Sequence, residues 1–381
     1  MFFVNGVVLA SWVPHIPAVK ARHALSDGDL GLVLLAMAVG AVVALPLAGG
    51  LVARFGSRRM TSLAAVGLCL CLPLPVVAPS VALLALSLVV FGAVNATLDV
   101  SMNAQAVIVE REYGRAIMSA FHGLFSAGML AGSGAAVVTM AAGAGDVPHV
   151  VGSALVALLA VGANLPALVP TPAGGARAPV FARPTGVLIG LGALAFCGLL
   201  AEGAMGDWSA VYLHDTLGSS EALAGTGFAA FSLAMAAGRF TGDRLVARLG
   251  PARVLRATSA SAAVGLGVAL VLGDAGAGVA GCGMVGLGIA NAVPILFSAA
   301  ARVPGVDAGH GIAGVASLGY LGLLAGPPLI GLAADAFGLR LALAIVGVAC
   351  GVIALGAGIV PAPASDATDA ASPRLAAETQ G

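Results

Sequence analysis

Apolar residues run in long blocks over almost the whole of the 381-residue chain, broken by short stretches of charge, proline and glycine. A bilayer-spanning helix takes about 20 mostly apolar residues, and the blocks have that length. They predict twelve spans at roughly 2–19, 30–53, 60–78, 81–109, 116–142 and 148–169, then 185–212, 222–246, 255–273, 276–301, 311–334 and 338–361. The segment at 170–184, containing Thr171-Pro172-Ala173-Gly174-Gly175-Ala176-Arg177-Ala178-Pro179, divides six spans from six. The expected organisation is therefore a six-helix bundle over 1–169, a cytoplasmic linker over 170–184, a second six-helix bundle over 185–361 and a polar, disordered cytoplasmic tail over 362–381.

Composition agrees with this reading. Hydrophobic residues make up 60% of the chain and charged residues 9%, where a soluble domain carries roughly a quarter charged. Mean hydropathy is +1.05, so the surface needs lipid as solvent. The 55 glycines suit a membrane bundle, where small residues let helix backbones approach closely. The five cysteines lie in apolar runs without metal-like spacing and read as reduced packing residues. A net charge of zero argues against a nucleic-acid partner. Lys20, the one lysine, sits in Val-Lys-Ala, so the chain has no Gly-Lys-Ser/Thr phosphate loop. Energy for any work must come from a gradient or a separate subunit.

Basic residues set the orientation. With the N-terminus inside, cytoplasmic segments hold thirteen arginines (54, 58, 59, 111, 115, 177, 183, 244, 248, 253, 256, 302 and 374), against Lys20, Arg22 and Arg340 outside. That bias places both termini in the cytoplasm of a bacterial cell with the chain in its inner membrane. Residues 1–19 lack a basic lead and an A-x-A cleavage pattern. They read as a first span, one starting so close to Met1 that a short tail ahead of it is plausible.

The two halves match at one fixed offset. Leu51-Val52-Ala53-Arg54-Phe55-Gly56-x-x-Arg59 recurs as Leu245-Val246-Ala247-Arg248-Leu249-Gly250-x-x-Arg253, and Gly128-Met129-Leu130-Ala131-Gly132 as Gly322-Leu323-Leu324-Ala325-Gly326. Both pairs are 194 residues apart. Six intervening spans, an even number, give the halves the same membrane orientation, which is a parallel repeat about the membrane normal.

Gly49-Gly50-Leu51-Val52-Ala53-Arg54-Phe55-Gly56-Ser57-Arg58-Arg59 resembles the G-x-L-a-D-R-x-G-r-r loop of the major facilitator superfamily, with a second copy after span 8. Ala53 and Ala247 stand where that loop usually has Asp. Leu98-Asp99-Val100-Ser101-Met102-Asn103-Ala104-Gln105, Phe121-His122-Gly123, Ala201-Glu202-Gly203-Ala204 and Asp207-Trp208-Ser209 are similar to a bacterial branch near the fucose–proton symporters. The resemblance implies an all-α fold of two six-helix bundles and secondary transport by alternating access. It also implies a conformational latch, to which Gly49, Arg54, Gly56, Arg58, Arg59, Arg239, Asp243, Arg248 and Gly250 are assigned. Simple anchoring to anionic headgroups is the alternative reading of the loop arginines.

An ionisable side chain at bilayer depth costs at least ~2.5–3.5 kcal/mol, so each needs a reason. In span 4, Asn95, Asp99, Met102 and Asn103 share one helix face by their spacing. Asp99 is the candidate proton-coupling carboxylate; polar glue between helices is the alternative. Acids on spans 1 and 4 matter in the fucose symporters, whereas span 1 here offers Asn5. His122 and Asn103 fall at matching depths on spans 5 and 4 and are expected to hydrogen-bond. Glu202, flanked by Gly198, Gly203 and Gly206, is a second proton-coupling candidate, and His122 a third. Asp207 and Trp208 are placed near the outer interface, where tryptophan anchors are common. Arg239 and Asp243, four apart, suggest a local ion pair. Pro14, Pro17, Pro294, Pro327 and Pro328 are candidate helix breaks, and Trp12, Asn291, Phe297 and Tyr320, with Asn5, Asn95 and Asn103, are candidate cavity residues.

No G-x-S-x-G, H-E-x-x-H or metal-spaced Cys/His set is present, so neither an enzyme nor a cofactor or metal is expected. The leading expectation is a monomeric carrier that moves a sugar-like or other small polar solute with protons. An efflux antiporter for amphipathic compounds and, more remotely, a membrane sensor are the alternatives.

Overall fold

The computed structural model describes residues 1–114, 117–170, 186–306 and 308–360, without the side chains of 119 and 308–310. The expected linker beyond residue 170, the tail, Arg115, Arg177, Arg183 and Arg374 lie outside the described residues. Every element is helical: α1 Phe2–Arg22, α2 Asp27–Phe55, α3 Ser57–Val77, α4 Val81–Tyr113, α5 Met118–Ala141, α6 Asp146–Ala167, α7 Val187–Thr216, α8 Glu221–Leu249, α9 Pro251–Leu272, α10 Ala275–Ala300, α11 Ala308–Phe337 and α12 Leu339–Ile359. Among the described residues eleven of these are long and apolar enough to cross a membrane. The twelfth, α8, has the length, 29 residues, but Thr226, Ser232, Arg239 and its glycines dilute the apolar run.

Helices outrun the apolar blocks by a turn or more. Arg58 and Arg59 lie inside α3, Lys20 and Arg22 inside α1, and α9 starts at Pro251, directly after Gly250. An apolar block need only match the hydrocarbon thickness, whereas the helix that carries it can run on past that length. Pro14 sits in a 3-10 segment, Val13–His15, that splits α1, and α10 is interrupted between Ile289 and Ala292 ahead of Pro294. Pro327 and Pro328, expected as breaks, lie within an unbroken α11.

The 194-residue register extends to helix caps. Ser26 accepts from the Asp29 N–H at 3.0 Å to start α2, and Ser220 from Leu223 at 3.3 Å to start α8. Ser80 starts α4 by accepting from Leu83 at 3.4 Å, and Asp274 starts α10 by accepting from Ala277 at 2.9 Å. Each satisfies one orphan N–H of a first turn. Gly56 and Gly250 end α2 and α8 at φ of 81° and 83°, a conformation that costs a glycine nothing.

Packing repeats too. In the first half α1 packs on α5 and α2 on α4; in the second α7 packs on α11 and α8 on α10. A Cβ on Gly92 would meet the Met37 carbonyl, and one on Gly286 the Phe231 carbonyl. Gly128 lies likewise against the Phe3 carbonyl, and Gly322 against that of Phe196. At these crossings only a hydrogen fits between backbones. The halves meet through α2 with α11 and α5 with α8, which the same two-fold relation exchanges.

Gln105, buried on α4, ties three elements together. Its Nε2 donates to Ser57 Oγ at 2.8 Å and the Val169 carbonyl at 3.0 Å, while its Oε1 accepts from the Val169 N–H at 2.9 Å.

Candidate functional site

A cavity of about 570 Å³ lies between the two halves. Its walls come from α1 (Phe2), α4 (Asp99, Met102), α5 (Met118, His122, Phe125), α7 (Leu199, Glu202), α8 (Arg239, Asp243), α10 (Asn291, Val293, Pro294, Phe297) and α11 (Leu323). Most of these positions fall in the half of each helix nearer the α2–α3 and α8–α9 turns, hereafter the arginine-rich end. The interruption in α10 contributes directly: Asn291 there donates to the Gly238 carbonyl of α8 at 3.1 Å, and the four α10 residues that follow or form the break line the wall.

The ionisable groups are of two kinds. Asp99 is held by its own helix: Asn103 Nδ2 donates to its carboxylate at 3.1 Å and to its carbonyl at 2.8 Å. It makes no ion pair with any described residue. Arg239 is committed twice, donating to Ser126 Oγ of α5 at 2.9 Å and pairing with Glu202 of α7 at 3.4 Å. The pair is partly hydrated, with side-chain exposures of 18% and 25%, so it is worth little by itself. The Ser126 bond crosses between the halves. The expected Arg239–Asp243 pair is thus replaced: tertiary packing turns the guanidinium across the cavity instead of along its helix. The expected His122–Asn103 bond is also absent, because Asn103 turns back to Asp99. His122 packs edge-on against Phe2, with ring centroids 5.4 Å apart, within electrostatic reach of Arg239.

Of the candidate cavity residues, Asn291 and Phe297 line the wall. Asn5 is buried behind it, with Nδ2 3.9 Å from Met102 Sδ. Trp12 lies in the hydrophobic core, and Asn95 presents a buried Oδ1 with no hydrogen-bond partner. Tyr320 packs against a small α2–α4 cluster of Ala44, Leu45 and Ala96, within electrostatic reach of Asp99. Trp208, placed near the interface from its position, is fully buried and abuts Gly331; its neighbours are other helices instead of headgroups.

The opposite end is shut. Lys20 Nζ of α1 lies 2.6 Å from Asp27 of α2 and 2.6 Å from Asp215 of α7. Both contacts are ion pairs, and the Asp215 contact is also a well-angled hydrogen bond. Ser26 donates to Asp335 of α11 at 3.1 Å. Behind these contacts Gly31 faces the Pro327 carbonyl and Gly331 the Asp27 carbonyl, each too close for a Cβ. Two polar links and a backbone-to-backbone crossing thus join the halves there.

The family model described as "Major Facilitator Superfamily" matches residues 1–304 and 191–377. The chain belongs to the Major Facilitator Superfamily. It is a membrane transporter of that family, and its relatives agree. It is 40% identical over 348 residues to an uncharacterised MFS-type transporter of Yersinia pestis, covering 91% of this chain and 90% of the relative. It is 37% identical over 356 residues to membrane protein MosC of Rhizobium meliloti, covering 92% and 86%. Among solved structures it matches the nucleoside transporter NupG, with a TM-score of 0.70, 14% identity and coverage of 94% and 96%. It also matches a D-xylose–proton symporter, with a TM-score of 0.70, 14% identity and coverage of 94% and 97%. At that identity these two speak for the fold alone.

The superfamily's loop sits at the arginine-rich end. Arg54 and Arg59 there lie over the Phe55 ring, 5.1 and 5.8 Å from its centroid. Arg54, Arg59 and Arg248 make no ion pair with any described residue, Gly49 is half-buried, and Gly56 forms the turn. Arg239 and Asp243, grouped with the latch in sequence, are cavity residues. The three basic residues of the opposite end are all occupied. Lys20 is in the clamp, Arg22 donates to the Val76 carbonyl closing α3, and Arg340 donates to the Leu270 and Val271 carbonyls closing α9. Val76 and Leu270 are 194 apart, so two different arginines cap equivalent helix ends, where cations are favoured. Sequence reading also passed over Glu110, whose carboxylate accepts from the N–H groups of Ile117 and Met118 at 2.8 and 2.7 Å to start α5.

Proposed function

We propose that this transporter moves a small polar solute together with a proton, by alternating access, and that Asp99 is the proton-carrying group. The observation that carries the reading is the contrast between the two central acids. Glu202 pairs with the Arg239 guanidinium, whereas Asp99, on the same cavity wall, pairs with no cation among the described residues and is held only by Asn103. Desolvation favours the neutral form of a carboxylate that has no counter-charge, which suits it to take up and release a proton.

With the arginine-rich end taken as cytoplasmic, the structure is an inward-facing state, and both termini lie in the cytoplasm of a bacterial inner membrane. Residues 1–169 and 185–361 are the units that rock about the cavity. Glu202, Arg239, Asn291 and His122 supply polar contacts to the solute, a sugar-like compound in our reading, while Phe2, Phe125 and Phe297 stack against its apolar faces. Arg239, bound to Ser126 across the interface, reports the state of the halves to Glu202.

One observation favours a second reading. Nine of the fifteen lining residues are apolar, which also suits proton-driven export of an amphipathic compound. Proteoliposomes carrying a pH dye separate the two. Solute-induced proton influx, with a sugar or other polar compound added outside, supports symport. Proton efflux on adding an amphipathic amine overturns it in favour of antiport.

A further inference from the structure

A buried chain of titratable groups, separate from the cavity, joins α1 to α6 near the closed end. His15, fully buried in the 3-10 segment of α1, places Nδ1 2.8 Å from Asp146 Oδ1 and Nε2 2.7 Å from His149 Nδ1. His149 places Nε2 3.2 Å from Ser153 Oγ. Asp146 is 18% exposed at the start of α6, and Arg22 reaches its other oxygen at 3.7 Å. The result is an unbroken string of polar atoms from a wet carboxylate to a ring buried on all sides.

We infer that His15, His149 and Asp146 form a proton-binding site distinct from the transport cavity, which holds one proton taken from the aqueous phase at the clamped end. The distances admit two proton arrangements. In one, His15 Nδ1–H donates to the Asp146 carboxylate, His149 Nδ1–H donates to His15 Nε2, and Ser153 O–H donates to His149 Nε2. In the other, one added proton leaves His15 carrying both N–H groups. Its Nε2–H then donates to His149 Nδ1, and His149 Nε2–H donates to Ser153 Oγ. Adding the proton reverses two hydrogen bonds and breaks none. A second would set two N–H groups against each other across 2.7 Å, so occupancy stops at one. The charged groups recorded against the pair are Asp146 from α6 and Arg22 from α1. Counting Arg22 with the three, the cluster is neutral without the proton and carries +1 with it.

Its place in the fold gives the site a consequence. The helical piece Ile16–Arg22 begins at His15 and carries both Lys20, which clamps the halves, and Arg22, which closes α3. Charge at His15 is therefore felt at the joint from which the clamp is held.

Solid-state nitrogen NMR on full-length protein labelled with [15N]histidine in liposomes reads this directly, independently of any solute. Over pH 5–8, the range where imidazoles change charge, the expected result is one titration shared by two of the six histidines, with His149 changing tautomer. His149→Gln is expected to abolish the shared event. Ser153→Ala keeps both rings and is expected to keep it, which guards against a folding defect in the first variant. Two independent titrations, no titration of either ring, or a shared event that survives His149→Gln would each overturn the assignment.

Discussion

Replacing Lys20 by Gln is the sharpest perturbation of the conformational equilibrium. Of its two carboxylate partners, Asp27 belongs to the same half, so that contact persists whichever end is open and cancels between states. The Asp215 contact, 2.6 Å long and well angled, crosses between halves and exists only while this end is shut. A charge-assisted hydrogen bond is worth about 1.5–3 kcal/mol when buried. With side-chain exposures of 14% for Lys20 and 32% for Asp215, solvent screening reduces that to about 1–2 kcal/mol. Such a loss raises the population open at this end about 5–30-fold. Spin labels at Ala142 and Thr216, both exposed and on opposite halves, report the change by pulsed electron resonance as a longer distance. Lys20→Gln and Asp215→Asn should produce it, and Asp27→Asn should produce much less. An equal shift in Asp27→Asn, or none in any variant, refutes the idea that the inter-half arm holds the clamp.

Gly128→Val and Gly322→Val push a side chain into the Phe3 and Phe196 carbonyls; each is expected to cost about 1–3 kcal/mol and lower Tm, while Gly134→Ala, which has open space around it, leaves Tm unchanged. Arg239→Gln strands Glu202 and cuts the link to Ser126. It should weaken solute binding about tenfold or more, and a double-mutant cycle with Glu202→Gln should return a coupling of about 0.5–1 kcal/mol. Gln105→Ala removes three hydrogen bonds among α3, α4 and the end of α6, with an expected loss of about 2–3 kcal/mol in thermal unfolding.

Length of apolar blocks and a shared register are one-dimensional properties, so they are readable in sequence. That is why the helices, the two-fold repeat and the family could all be argued from residues such as Gly56 and Gly250. The acids Asp99 and Glu202 and the imidazole of His122 were singled out by the cost of charge at depth, and the fold brings all three to one cavity. Partner choice is a three-dimensional property and did not follow. Asp243 is four residues from Arg239, yet Glu202, 37 residues away, receives the guanidinium. Asn95 shares a helical stripe with Asp99, yet it is not among the residues that line the cavity. His15 and His149 are 134 residues apart, and no motif or shared register links them. Their one common mark, a preceding proline at Pro14 and Pro148, carries no distance information. Lys20 stood out as the one lysine, but nothing in its neighbourhood pointed to Asp215.

Coupling through Asp99 is tested most directly by comparing two modes of transport in Asp99→Asn. Gradient-driven uptake needs a proton to be carried, whereas counterflow of labelled against unlabelled solute needs only that the halves rock with solute aboard. We predict that Asp99→Asn abolishes uptake driven by a pH gradient and keeps counterflow within about threefold of the wild type, well under one kcal/mol. Uphill uptake that persists in the variant would contradict the assignment and leave Asp99 with a structural role only.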